Sequence, residues 1–205
     1  MLRLYLIRHG VTRWNHEARM QGQSDIDLAP EGFEQARLIA CRLAREPLDA
    51  VWSSDLVRAW DTAREIAAPH GLCVHVTPLL RECGFGAWEG LTEADIMELG
   101  QEDAWRAYRA DPVATRPPGG ERLEEVWDRI LQGVQQLRRE HPSGNVALVG
   151  HGGSMRAILC HALGSTVECF RRIWLDNASL SIVEYEGERM WVKLMNDTCH
   201  LGGIG

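Results

Sequence analysis

The sequence predicts a three-layer α/β/α sandwich with a mostly parallel central sheet and a small helical cap. Residues 4–7 and 146–149 form continuous apolar runs, whereas a strand with one solvent-facing side would alternate. Continuous runs of this length are typical of strands buried on both faces. Segments with helical spacing of apolar residues separate the short strands, and such alternation favours a parallel sheet covered by helices.

The first part of the chain divides into a strand, a loop and a helix. Residues 11–28 are polar without apolar periodicity, which predicts a loop over the end of the first strand. Pro30 begins an apolar stripe with helical spacing that ends before Pro47. The preceding Ala29 is a weak helix cap, so we expect this helix start to fray.

A second strand and helix follow. The strand is predicted at 49–52, and we interpret Ser53-Ser54-Asp55 as the cap of a helix that reaches about residue 68. Arg58 lies in the first turn of that helix, where its side chain can extend toward the end of the first strand. A third short strand is predicted at 74–76.

The second half of the chain predicts one inserted excursion and the remaining core elements. Residues 91–119 begin with helical spacing and end in a segment rich in Pro and Gly, so we assign them as the cap. A long helix, a strand, a short helix and a hairpin follow at 121–140, 145–149, 154–163 and 180–194. No linker or repeat interrupts the chain, so we expect one domain over residues 1–205.

The composition is that of an acidic globular domain. The 205 residues carry a net charge of −7, so we expect no broad basic surface and no nucleic-acid partner. No apolar segment has the length of a signal peptide or membrane span, so no membrane association is expected. The six cysteines show no CxxC pair or metal-ligand spacing, which favours a reduced, cytoplasmic protein.

The first buried strand ends at Arg8-His9-Gly10, at the sheet edge where α/β folds bind their ligands. A neutral imidazole can accept a phosphoryl group, a guanidinium binds phosphate oxygens, and glycine lets the backbone turn close to a ligand. The second continuous strand repeats the pattern with His151 and Gly152, whose N–H lies near a predicted helix N-terminus and can bind an anion. The alternative is a strand end with solvated Arg and His.

Ordered motifs recur over nearly the whole chain. They are IRHGVTRWN at 7–15, Met20-Gln21-Gly22, SSDLVRAWDTA at 53–63, LRECGFGAWEG at 80–90, PPGGE at 117–121, VGHGG at 149–153 and DNASLS at 176–181. With them the chain resembles the histidine phosphatase superfamily, which includes the phosphoglycerate mutases. Its Phe-Gly-Ala-Trp-Glu-Gly, Pro-Gly-Gly-Glu and His-Gly-Gly forms resemble the phosphatase branch, including α-ribazole phosphatases and broad-specificity phosphatases.

The resemblance implies a phosphomonoesterase that hydrolyses small-molecule phosphate esters through a phosphohistidine on His9. Arg8, Arg58 and His151 would spread the charge of the phosphoryl oxygens, and these cations would also keep His9 unprotonated. No cofactor is implied. We expect chemistry without a metal, because the two arginines would repel a divalent ion and no ligand pair such as HxH or HExxH occurs.

The resemblance assigns proton transfer to Glu82, first as acid toward the leaving oxygen and then as base for the attacking water. Its place just before Phe-Gly favours it over Glu89, which we assign to ordering the Trp-Glu-Gly turn. Asn15 and Gln21 would be neutral donors to the same phosphate, together with the Gly152 N–H. Alternatively, the two amides only hold the loop together.

Two other functions stay open. A cofactor-dependent phosphoglycerate mutase would use the same phosphohistidine, but the short chain and the small excursion favour a hydrolase. A non-catalytic phosphoprotein-binding module is disfavoured because His9, Glu82 and His151 are all present. The sequence leaves open the physiological substrate and a homodimer.

Several arginines are not assigned by the motifs. A second anionic group of the substrate could meet Arg106, Arg109 or Arg116 in the cap, although a solvated cap helix is the favoured interpretation. Arg122 replaces a Ser that is usual in similar sequences, so substrate preference does not carry over. Trp105 could stack on a substrate, but Trp is more often a pocket wall.

Overall fold

A computed structural model describes residues 1–202, in which a mixed six-stranded sheet lies between helices. The strands are β1 (Leu2–Arg8), β2 (Ala50–Ser54), β3 (Val74–Thr77), β4 (Gly144–Gly150), β5 (Leu180–Glu186) and β6 (Arg189–Asp197). Their order across the sheet is β3-β2-β4-β1-β5-β6. The first four are mutually parallel, β5 is antiparallel to β1, and β6 is antiparallel to β5. The predicted α/β fold with a mostly parallel sheet is confirmed.

The helices are α1 (Arg13–His16), α2 (Pro30–Leu43), α3 (Val57–Ala67), α4 (Glu93–Glu98), α5 (Glu102–Ala110), α6 (Leu123–Glu140) and α7 (Gly152–Ala162). The last six occur where the apolar periodicity predicted them. The four-residue α1 lies within residues 11–28, where a loop was predicted, and a capping box of Thr12 and Asn15 closes its turn. Within residues 1–202, no helix has the length and apolar character needed to cross a membrane. The last three residues of the predicted domain 1–205 lie outside the described residues.

The core explains why β1 has no polar residue between Leu4 and Ile7. Leu4 and Leu6 pack on one face of the sheet with α6 and α7, and Tyr5 and Ile7 pack on the other face with α2 and α3. All four side chains are at most 1% exposed. Since both faces of the strand are covered, an alternating pattern would place polar groups in an apolar layer.

The predicted cap of α3 is wrong. Ser54 is the last residue of β2, and the helix begins at Val57 without a side-chain cap from the preceding residue. Instead, Asp25 of the long loop accepts a hydrogen bond from the Val57 N–H at 2.7 Å, while Asp55 pairs with Arg81. A distant residue therefore satisfies a donor that local sequence left open.

The start of α2 is also held by residues outside the helix. Ala29 makes no side-chain cap, but its N–H donates to the Val11 carbonyl at 2.9 Å, and Thr12 pairs with Leu28 in an isolated bridge. The helix then crosses the end of β1 at very short range. A side chain on Gly10 would overlap the Gly32 carbonyl, and one on Gly32 would overlap the Val11 carbonyl.

The cap region 91–119 contains α4 and α5, as predicted. Trp88, Ile96 and Trp105 form a small apolar cluster of their own beneath these helices. Trp105 is 5% exposed and packs edge-on against Trp88, with ring centroids 5.4 Å apart. Trp105 is therefore chiefly a structural residue of the cap.

The six cysteines differ in burial. All six are free, and Cys41, Cys73 and Cys199 are exposed, whereas Cys83 and Cys160 are buried. Burial raises the pKa of the Cys83 thiol above its ordinary value, so this cysteine is not activated as a nucleophile.

The close contact between α2 and the end of β1 predicts that Gly32→Ala is destabilising. The added methyl must push the helix away from the Val11 carbonyl, which we expect to lower the free energy of unfolding by about 1–3 kcal/mol. Urea denaturation measures this, with Cys41→Ala on the exposed face of α2 as a control that changes stability by less than about 0.5 kcal/mol. Equal stability of both variants would contradict the contact.

Candidate active site

His9 follows directly on β1, and its ring is oriented by its own backbone. The His9 N–H donates to the Gly150 carbonyl at 2.9 Å, and the ring Nδ1 lies 2.6 Å from the Gly10 carbonyl. Because a carbonyl oxygen only accepts, Nδ1 must carry the proton of the neutral ring. The lone pair is then on Nε2, which is the atom available to a phosphorus.

His151 meets His9 because β1 and β4 are parallel neighbours in register. Arg8 pairs with Gly150, so the next residue of each strand extends over the same edge. The two imidazole centroids are 5.1 Å apart, and the side chains are 3% and 0% exposed. His151 Nε2 lies 2.9 Å from the Ser54 hydroxyl, and its Nδ1 is buried without a partner.

The guanidinium groups of Arg8 and Arg58 are buried in the same cluster. Arg58 is fully buried and donates to the carbonyls of Ser24 and Gly22, both at 2.7 Å. Arg8 donates to the Leu175 carbonyl at 2.6 Å. Neither has a carboxylate within ion-pair distance in residues 1–202, and the Nε of each is buried without a partner.

Burial and charge together set the protonation states. Burial lowers the pKa of Arg8 and of Arg58 to about 10, so both remain cationic at neutral pH. Burial, followed by the charges of these two arginines, holds the pKa of His9 well below 6.5. The pKa of His151 is lowered in the same direction for the same reasons. The site therefore contains neutral imidazoles among fixed positive charges.

Unpartnered polar atoms are concentrated here. Among residues 1–202, seven buried side-chain nitrogen or oxygen atoms lack a hydrogen-bond partner. Five belong to this region, namely Arg8 Nε, Gln21 Oε1, Arg58 Nε, His151 Nδ1 and Arg156 Nε. Buried polar groups are normally satisfied, so the unpaired nitrogen atoms of Arg8, Arg58 and His151 beside His9 indicate an anion-binding site, whereas Gln21 Oε1 can only accept a hydrogen bond.

Glu82 lies at the N-terminus of α7, beside the same cluster. Its Oε1 accepts from the backbone N–H of Cys83 at 2.8 Å and of Gly153 at 3.0 Å. A side chain on Gly153 would overlap this carboxylate oxygen. The absence of a Cβ at position 153 is thus what lets the carboxylate approach the helix end.

Arg129 of α6 fixes the backbone that carries Glu82. It donates to the carbonyls of Leu79, Arg81 and Glu82, at 3.1, 3.0 and 3.1 Å. It also pairs with Glu121 at 2.9 Å. One guanidinium therefore binds three carbonyls within residues 79–82, and Arg129 is a positioning residue.

Glu89 has a different role from Glu82. It accepts hydrogen bonds from the N–H of Gln23 and of Phe85 and from the hydroxyl of Ser24. It thereby orders the loop whose carbonyls bind Arg58, in addition to its own turn. Because three donors bind the Glu89 carboxylate, its role is structural.

Gly152 faces the site, whereas Asn15 and Gln21 are tied into its rim. The Gly152 Cβ position would lie 3.7 Å from Arg8 Nε and 3.7 Å from Glu82 Oε2. Asn15 Oδ1 accepts from the Thr12 N–H at 3.0 Å. Gln21 is 9% exposed and directly precedes a carbonyl that Arg58 binds.

Four side chains that support the site were missed in the sequence. Ser54 was assigned to a helix cap, and no role was assigned to Arg129 on the predicted helix 121–140. Asn177 donates to the His9 carbonyl at 3.1 Å and lies far away in sequence. Arg156 could have been found, because it follows Gly152 by four residues on a predicted helix and so shares its face.

Within residues 1–202, no group of three or more His, Cys, Asp or Glu side chains is arranged to hold a metal ion. The polar atoms directed at the cluster come mainly from arginine and histidine. This donor set fits an oxyanion.

Comparison with known proteins identifies the class. Residues 4–198 match the family model of the histidine phosphatase superfamily (branch 1). Phosphoserine phosphatase 1 of Hydrogenobacter thermophilus is 37% identical over 202 residues, covering 98% of this chain and 95% of the relative. A protein named probable phosphoglycerate mutase GpmB, from Serratia proteamaculans, is 35% identical over 98% of this chain and 95% of its own length.

Solved structures agree with the sequence relatives. A mycobacterial glucosyl-3-phosphoglycerate phosphatase superposes with a TM-score of 0.87 and 33% identity, covering 97% of this chain and all of that one. The α-ribazole phosphatase of Shigella flexneri gives a TM-score of 0.89 at 27% identity, with 96% of each chain covered.

The chain belongs to the histidine phosphatase superfamily. It is a phosphoric monoester hydrolase of small phosphate esters, as the sequence predicted.

The contact between Gly153 and Glu82 predicts that Gly153→Ala impairs proton transfer. The methyl displaces the Glu82 carboxylate. If Glu82 is the acid that the resemblance implies, kcat/KM for alkyl phosphates, which reports the step that releases the alcohol, should fall about 100-fold, the usual contribution of a general acid. kcat/KM for p-nitrophenyl phosphate, whose phenolate leaves without a proton, should fall less than about 5-fold. Steady-state kinetics with both ester types measure this, and Glu82→Gln should reproduce the pattern. Equal losses on both types would contradict it.

The lowered pKa values predict that His9 and His151 stay neutral below pH 6.5, where an ordinary histidine gains a proton. Nitrogen-15 NMR titration should show two imidazoles, assigned with His9→Gln and His151→Gln, that do not titrate near 6.5. The unfolded chain does take up these protons, so the free energy of unfolding should decrease as pH falls below 6.5. A midpoint at 6.5 for either ring would contradict this.

Proposed function

We propose that His9 is the nucleophile of this phosphatase and forms a phosphohistidine. The observation that carries the proposal is the unprotonated Nε2 of a buried ring whose Nδ1 is fixed by its own backbone. In the first step a bond forms between Nε2 and phosphorus while the ester P–O bond breaks. Glu82 in its acid form gives its proton to the leaving alkoxide. Water then attacks phosphorus and loses a proton to Glu82 while the Nε2–P bond breaks, which frees Nε2 and releases inorganic phosphate.

Arg8, Arg58 and His151 would stabilise the equatorial oxygens in both steps. The two arginine Nε–H groups are buried donors without protein partners. The Ser54 hydroxyl oxygen accepts a hydrogen bond from the Leu56 N–H at 3.3 Å. Its own proton can therefore be donated to His151 Nε2. The proton of the neutral ring is then on Nδ1, which makes that atom a further donor to the phosphoryl group.

The N-terminal backbone of α7 would support both phosphate binding and proton transfer. The Gly152 N–H at the helix N-terminus would bind a phosphoryl oxygen, and the Gly153 N–H holds the acid beside it. Asn15 and Gln21 would add amide donors at the rim. We further propose that residues 91–119 act as the cap of one phosphatase domain over 1–205, that the protein works in the cytoplasm, and that it can form a homodimer.

The mutase alternative receives less support. A mutase must keep the phosphoenzyme from water and bind a bisphosphate, which in that branch of the family goes with a longer insertion than residues 91–119. Because one relative is named a probable phosphoglycerate mutase, the test must also measure mutase activity. A non-catalytic phosphoprotein-binding role is disfavoured by the complete set of His9, His151 and Glu82.

The test is to trap the phosphoenzyme. Purified protein incubated with p-nitrophenyl phosphate and quenched rapidly should contain acid-labile, alkali-stable phosphate on His9, located by mass spectrometry. His9→Ala should lose the adduct and at least about 10⁴-fold in kcat, because the nucleophile is removed. His75→Ala, an exposed histidine on β3, is the matched control and should keep both.

Two outcomes would overturn the proposal. Undiminished turnover by His9→Ala would exclude His9 as nucleophile. Conversion of 3-phosphoglycerate to 2-phosphoglycerate that depends on 2,3-bisphosphoglycerate, without phosphate release, would favour the mutase.

A further inference from the structure

We propose that Arg156 binds a carboxylate on the alcohol part of the substrate, so that the preferred substrates are phosphate esters of small hydroxy acids. This inference rests on the proposed function, because it takes the phosphate to lie between His9 and the guanidinium groups of Arg8 and Arg58. It adds the chemical class of the leaving group and a residue that selects it.

The cavity for the leaving group lies on the side of Glu82 away from the two histidines. It has a volume of about 210 Å³ and its wall includes Glu82, Phe85, Tyr108, Arg156 and Phe170. Neither His9 nor His151 lines it, whereas the proposed acid does. An ester with its phosphate on His9 would therefore extend its alcohol past Glu82 into this cavity.

Arg156 is directed toward the junction of cavity and phosphate site. Its Nη2 would lie 3.8 Å from a Cβ on Gly152, and Arg8 Nε and Glu82 Oε2 would each lie 3.7 Å from that same point. Only a few bonds of a substrate can therefore separate a phosphoryl oxygen near Arg8 from a group bound by Arg156. The second group must be close to the ester oxygen, as in a hydroxy acid.

The charge of Arg156 is not neutralised by the protein. Its Nε is buried without a partner, and no carboxylate in residues 1–202 lies within ion-pair distance of it. One face of the guanidinium is covered by Phe170, at 5.6 Å from the ring centroid. A partly desolvated guanidinium fork in an aromatic wall binds a planar carboxylate with two parallel hydrogen bonds.

The cap arginines contribute less. Arg106 pairs with Glu102 at 2.7 Å, and Arg116 is exposed outside the cavity. Arg109 and Arg171 line the cavity at its exposed rim, and Arg171 also donates to the Arg109 carbonyl. These two can attract an anion electrostatically, whereas Arg156 makes the hydrogen bonds to the substrate carboxylate inside the cavity.

The experiment compares O-phospho-L-serine with O-phosphoethanolamine, which differ only by the carboxylate. We expect the wild type to favour phosphoserine at least about 10-fold in kcat/KM. Arg156→Gln should lower kcat/KM for phosphoserine by about 10- to 100-fold, chiefly through KM, as expected for one charged hydrogen-bonded pair. Phosphoethanolamine should change less than about 3-fold. Arg156→Lys should recover part of the loss, because it keeps the charge without the fork.

Arg116→Gln is the matched control, an exposed arginine of the same cap region, and should leave both substrates unchanged. Equal losses on both substrates in Arg156→Gln would overturn the inference and assign Arg156 to the phosphate. No loss on either would overturn it as well. Thermal unfolding of each variant confirms that it is folded.

The phosphoenzyme separates this inference from the proposed function. If p-nitrophenyl phosphate gives the His9 adduct but phosphoserine is not favoured, the carboxylate inference fails alone. If no adduct forms on His9, the proposed mechanism fails first.

Discussion

Two buried guanidinium groups without carboxylate partners are the constraint on which this structure depends. Burying such charges is unfavourable, and the fold offsets it with backbone carbonyls, those of Gly22 and Ser24 for Arg58 and that of Leu175 for Arg8. A carboxylate would neutralise the charge and leave nothing for a phosphate. Carbonyls orient the guanidinium but keep its net charge, which also holds the imidazoles neutral.

The N-terminus of α7 separates two kinds of chemistry by a single residue. Gly152 faces Arg8 and Glu82 Oε2, and Gly153 binds the carboxylate of Glu82. A carboxylate and a second anion side by side would repel each other, and the positive end of the helix dipole between them offsets that repulsion. Arg129 and Glu121 then fix the backbone beneath Glu82, so the acid is held by atoms from α6, α7 and the cap-proximal segment.

Strand ends could be predicted from sequence because local pattern determines them. The continuous apolar run of β1 marks a buried strand, so the position of His9 at the sheet edge followed at once, as did that of His151. Contacts between distant segments could not be predicted in this way. Asp25 caps α3 in place of Ser53-Ser54-Asp55, and Ser54 instead orients His151. The spacing on α7 places Arg156 on the face of Gly152, but the approach of Glu82 to that face depends on a distant segment of the chain.

The sheet order has a consequence for how the protein is made. β1 is synthesised before the other strands, yet it lies between β4 and β5, which follow in the last third of the sequence. Asn177, which donates to the His9 carbonyl, also comes late. A nascent chain therefore cannot complete the surroundings of His9 until β5 has emerged. Chain termination before β5 should yield fragments with every motif up to Gly153 and no assembled centre.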